Sequence, residues 1–63
     1  MVTLVTYCDG ILIDFIKVKY GIYVGDLVST KDFIYKVEEI IDTYSRAGKI
    51  KTIHINVKWW SNL

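Results

Sequence analysis

The chain has no proline and only one cysteine. A lone thiol excludes an intramolecular disulfide, and with a single histidine and no Cys/His cluster there is no pattern for a structural zinc site. Sixty-three residues with 52% apolar composition are expected to form one domain spanning 1–63, whose single core supplies only a few kcal/mol of net stability. With disulfide and metal excluded, self-association is the remaining common way to add stability, so a homodimer is expected. No uninterrupted apolar run approaches the ~20 residues of a membrane-spanning helix, and no membrane partner is expected. The basic and apolar regions of a signal peptide are missing as well, which with the lone thiol fits a reducing cytoplasm. Neither a phosphate loop, GxGxxG, HExxH nor GxSxG occurs, so no cofactor is expected and an enzyme is not the reading. The net charge of +1 argues against a strongly electrostatic partner while leaving room for a locally charged face.

What is present begins with Val2 to Cys8, rich in β-branched residues and alternating, with Val2, Leu4, Thr6 and Cys8 on one face and Thr3, Val5 and Tyr7 on the other. Asp9-Gly10 is a strong hairpin signal, because a type I′ turn needs positive φ at both central residues. A second strand therefore starts at Ile11, with Cys8 opposite Ile11, Thr6 opposite Ile13 and Leu4 opposite Phe15. Gly21 and Gly25 mark either a bulge in a long second strand, the preferred reading, or the bounds of a short strand at Ile22 to Val24.

Ser29 to Gly48 carries the periodicity of a helix. Phe33, Ile34, Val37, Ile40, Ile41 and Tyr44 recur at helical spacing, Ser29 and Asp32 suggest a capping box, and Gly48 sits where a left-handed C-terminal residue is wanted. This predicts a helix of about 18 residues, roughly 27 Å long. Lys49 to Trp60 then alternates, with Ile53, Ile55, Val57 and Trp59 facing away from Thr52, His54, Asn56, Lys58 and Trp60. The expected fold is α+β in ββαβ order: a three- or four-stranded, mainly antiparallel sheet with one helix on one face. A right-handed crossover would place the last strand beside the first and parallel to the second.

One helix covers one face of such a sheet. The face carrying Leu4, Ile13, Phe15, Ile53, Ile55 and Val57 is the expected core. Val5, Tyr7, Leu12, Ile16, Val18, Tyr20 and Trp60 are left on the other side, more apolar surface than a monomer usually exposes. Val5, Leu12, Ile16 and Val18 are accordingly the candidate dimer contacts, and Tyr7, Leu12, Asp14, Ile16, Tyr20 and Trp60 the candidate partner-binding set.

Asp14, a carboxylate amid apolar neighbours, is either a charge that discourages promiscuous sheet pairing or a recognition acid. Lys17, Lys19, Lys51 and Lys58, with Trp60 among them, would form a basic, aromatic corner if the strands end together, the arrangement that sequence-tolerant single-strand binders use. Cys8 and His54 are the only candidates for nucleophilic or imidazole chemistry, and alternation points them to opposite faces; a packed thiol and a half-exposed strand histidine are the simpler readings. Asp32, Glu38, Glu39 and Asp42 would lie on the solvated side of the helix.

The Val2-Thr3-Leu4 opening, the Asp9-Gly10 turn, Ser29-x-x-Asp32-Phe33 and the closing apolar strand together resemble small phage-encoded inhibitor proteins, nearest the uracil-DNA glycosylase inhibitor family of small Bacillus phages. The resemblance implies a compact dimer that presents a face or pocket to a host enzyme acting on nucleic acid, in the host cytoplasm. The chain departs from that pattern in a longer helix, extra residues after the second strand and a slightly basic rather than acidic charge. The expected function is thus a non-enzymatic protein-binding module, with a virus-encoded inhibitor as its specific form and a small single-stranded nucleic-acid binder as the alternative.

Overall fold

Asp9 and Gly10 both take positive φ, 51° and 77°, and so turn β1 (Val2–Cys8) back into β2 (Ile11–Val18). The same geometry recurs at Ala47 and Gly48, with φ of 53° and 75°, between β4 (Phe33–Arg46) and β5 (Lys49–Asn62). A short β3 (Leu27–Ser29) completes the set. In this computed structural model, which describes residues 1–63, the chain is all-β: one five-stranded mixed sheet in the order β2-β1-β5-β4-β3.

The α+β expectation is therefore corrected, since residues 33–46 form one arm of the longest hairpin instead of a helix. The reason lies in two bulges. Along the β4–β5 ladder the register shifts between Val37 and Glu39 and again between Ile40 and Asp42, leaving Glu38 and Ile41 as extra residues. Each bulge stretches the two-residue repeat of a strand to three. Val37, Ile40 and Thr43 consequently share one face opposite Val57, Ile55 and Ile53, at a spacing that reads as helical. Composition decides between the two: Phe33, Ile34, Tyr35, Val37, Ile40, Ile41, Thr43 and Tyr44 are β-branched or aromatic and suit a pleated surface. The supposed capping box at Ser29 and Asp32 belongs to the turn from β3 into β4, where the Thr30 backbone N–H donates to the Phe33 carbonyl (2.8 Å) and the Phe33 N–H to Thr30 Oγ1 (3.2 Å).

β5 lies beside β1 but parallel to it, Leu4 opposite Ile53 and Thr6 opposite Ile55, so it runs antiparallel to β2 and not parallel as the crossover argument required. No helical crossover exists to impose that direction; two hairpins separate the strands instead.

A further bulge at Ile13 reverses part of the expected β1–β2 register. Cys8 faces Ile11 and Tyr7 faces Leu12, yet Thr6 faces Asp14 and Leu4 faces Ile16. Ile16 and Val18 thereby join the core side, while Ile13 and Phe15, expected in the core, are exposed.

The core consists of Val2, Leu4, Val28, Val37, Ile53, Ile55 and Val57. β2 and β3 occupy opposite edges, and the chain between them, residues 19–26, straps across this face with Ile22 packed onto the core. It locks onto β4 through Gly25 N–H to the Val37 carbonyl (2.8 Å) and Val37 N–H to the Asp26 carbonyl (2.9 Å). Gly21 to Val28 is thus neither a continuation of the second strand nor a strand at Ile22 to Val24. The accessible surface, 4567 Å², exceeds the roughly 4200 Å² of a typical monomer of this mass, because the β4–β5 hairpin carries the molecule to 37 Å in length. No helix is present that is long and apolar enough to cross a membrane.

Candidate functional site

The strap covers one face only. On the other, the parallel β1–β5 register sets Val5 opposite His54 and Tyr7 opposite Asn56, while the β4–β5 ladder sets Asp42 opposite His54 and Glu39 opposite Asn56. Three strands thus bring Tyr7, Asp42, His54 and Asn56 together. With Ile41, the extra residue of the second β4 bulge, and Gly10 of the first turn, they line a depression of about 310 Å³.

Two of these side chains hold each other. The Tyr7 hydroxyl and His54 Nδ1 share a hydrogen bond of 3.3 Å, and their rings lie nearly parallel, 17° apart with centroids 6.0 Å distant. Either partner can carry the shared proton, so the imidazole tautomer is open to what enters the pocket. Asn56 is left short: its Oδ1 is buried without a hydrogen-bond partner, a condition that native interiors rarely tolerate without an occupant or water. Asp42 Oδ1 accepts the Thr43 N–H at 2.8 Å, which fixes the carboxylate beside the strand. No group of three His, Cys, Asp or Glu side chains is placed to hold a metal ion.

Cys8 sits on the strap side, half-buried against the core, and so does not meet His54. Burial raises its thiol pKa above the ordinary 9.0 and the Asp9 carboxylate adds to the rise, against a smaller lowering by a backbone hydrogen bond at Trp59. Such a thiol is a poor nucleophile.

Of the candidate partner-binding residues, Tyr7 lines the pocket and Leu12 and Trp60 share its face. Ile16 lies on the strap side; Asp14 is there too, its Oδ1 accepting the Phe15 N–H at 2.7 Å, and Tyr20 projects from the strap, 84% exposed. The dimer candidates divide in the same way: Val5 and Leu12 on the open face, Ile16 and Val18 beneath the strap. The basic set is dispersed as well. Lys17, opposite Thr3 and hence level with Thr52, and Lys51 lie toward one end, Lys19 follows β2, and Lys58 stands six residues from Thr52 along β5, roughly 20 Å away. Near it, Lys36 Nζ sits 5.1 Å over the Trp60 ring.

Sequence alternation already grouped His54 with Asn56. Asp42, expected on the solvated side of a helix, Ile41, expected in its apolar stripe, and Gly10 were not grouped with them, because their meeting depends on β4 being a strand and on the bulge at Ile41. No protein-family model, curated protein or solved structure matches the chain.

Proposed function

We propose that the protein is a non-enzymatic protein-binding module working through the open face of its sheet. One observation carries this reading. While the strap covers the middle of one face, the other presents Leu12 opposite Tyr7 and Phe15 opposite Val5 beside the Tyr7–His54 pocket, and Trp60 farther along β5, all exposed, with no segment of the chain folded over them. Apolar side chains rimming a polar depression are the composition of an interface, and a chain this small gains stability when a partner covers them. A virus-encoded inhibitor of a host enzyme is one form such a module takes.

The test is capture from cell lysate on the immobilised protein, beside a Leu12→Lys, Phe15→Lys double variant. A protein retained by the wild type and lost by the variant supports the reading; identical retention by both contradicts it.

Single-stranded nucleic-acid binding is the second reading, favoured by Trp60 with Lys36 above it and Lys58 directly opposite Lys36. Against it, Lys36 occupies the ring face a base would need, and Lys17, Lys19, Lys49 and Lys51 lie toward the far end. Oligonucleotide binding that falls steeply with salt would favour this second reading over the first.

A further inference from the structure

We infer that the pocket formed by Tyr7, Ile41, Asp42, His54 and Asn56 takes the guanidinium group of an arginine side chain on a protein partner. The inference rests on the protein-binding reading and names what the partner inserts.

Charge sets the class of ligand. The pocket lining contains one carboxylate, Asp42, and neither lysine nor arginine. Glu39 stands opposite Asn56 on the ladder and Asp9 precedes Gly10 at the turn, while Lys58 and its ladder partner Lys36 follow beyond Asn56, so it is the Asp42 carboxylate in the lining itself that sets the sign. Two acceptors are left free. Asn56 Oδ1 is buried and unpartnered, and Asp42 has one oxygen engaged by the Thr43 N–H, leaving the other for a ligand.

Shape and hydration separate arginine from lysine. A guanidinium is planar, carries five N–H donors and is weakly hydrated, so it can serve a carboxylate and an amide oxygen at once while its flat face lies against the Tyr7 and His54 rings. Ile41 offers an apolar wall to the methylene stem. An ammonium is a compact, strongly hydrated point charge, and loses more on leaving water for a half-apolar depression.

The experiment is an ¹H–¹⁵N titration of the whole chain with N-acetyl-arginine methylamide, in parallel with the citrulline analogue, which has the same shape and no charge. Saturable shifts centred on Tyr7, Asp42, His54 and Asn56 are expected for arginine, with citrulline weaker by roughly tenfold or more. Asp42 is exposed, so Asp42→Asn should remain folded and remove the preference for arginine. Equal affinities for the two probes, shifts centred elsewhere, or no saturation at the solubility limit would overturn the pocket. The lysate capture reads the apolar rim of this face, through Leu12 and Phe15, and not the pocket lining itself. A captured protein with a flat arginine titration would therefore overturn the pocket and leave the binding module standing. A saturating titration with no captured protein would overturn the partner as the source of the guanidinium.

Discussion

Tyr7 and His54, 47 residues apart in the chain, are joined by a 3.3 Å hydrogen bond across the parallel pairing of β1 and β5. This contact ties the first strand to the last. Tyr7→Phe keeps the ring and removes the hydroxyl, so a loss of about 0.5–1.5 kcal/mol is expected in urea titration, with a change in the His54 imidazole ¹⁵N shifts. An unchanged imidazole spectrum would mean that the two groups do not meet in solution.

The core has a sharp boundary along β5. Ile55 is 0% exposed, whereas its ladder partner Ile40 is 37% exposed. Ile55→Ala should cost ~2–5 kcal/mol, comparable with the whole stability of so small a domain. Ile40→Ala should cost clearly less, whereas a helix packed through its apolar stripe would make the Ile40 substitution as severe as the other. Urea midpoints of the two variants measure the difference.

That contrast also marks how far the sequence could be read. The first hairpin was legible because Asp9-Gly10 states its turn chemistry locally, and the alternation from Thr52 to Trp59 gave the faces of β5. The bulges at Ile13, Glu38 and Ile41 were not legible, since a bulge depends on the opposing strand and leaves no local signature. One of them exchanged Phe15 for Ile16 in the core. The other two gave β4 a helical rhythm and concealed Asp42 as a neighbour of His54. The strap was equally hidden, because Ile22 is a single apolar residue whose burial depends on where β3 is placed.

The second hairpin turn holds a removable strain. Ala47 adopts φ of 53°, where an alanine pays roughly 1 kcal/mol and asparagine much less. Ala47→Asn should therefore stabilise the protein by up to ~1 kcal/mol. Gly48→Ala, at φ of 75°, should destabilise it by a similar amount although a Cβ there meets nothing within 4 Å. Thermal melts of the pair test both signs.

The Cys8 thiol should alkylate slowly. Burial, then Asp9, raises its pKa, so less thiolate is present at mildly alkaline pH than in the unfolded chain. Iodoacetamide should react faster in denaturing urea than with the folded protein, and Asp9→Asn should speed the folded reaction. The sign for stability follows. A raised folded-state pKa means that the native protein holds the proton longer, so this contribution is intact below the ordinary thiol value of 9.0 and is lost as pH climbs above it.

Phe15 and Ile16 are adjacent in sequence and should respond in opposite ways to the same change. The Ile13 bulge turns Phe15 to the open face, 60% exposed, and Ile16 to the strap side against the core. A lysine at position 16 would put a charge beside Leu4 and Val18, so Ile16→Lys should lower the urea midpoint sharply. Phe15→Lys should leave the midpoint nearly unchanged and act on association. Covering an exposed phenylalanine contributes up to ~1.5–3 kcal/mol per side chain, and β2 is an edge strand with unpaired backbone groups available to a second copy. Light scattering of the wild type should therefore show a mass that rises with concentration, and Phe15→Lys should reduce that rise. A wild type that stays at the mass of one chain throughout the series would exclude self-association through this face and leave a different protein as its partner.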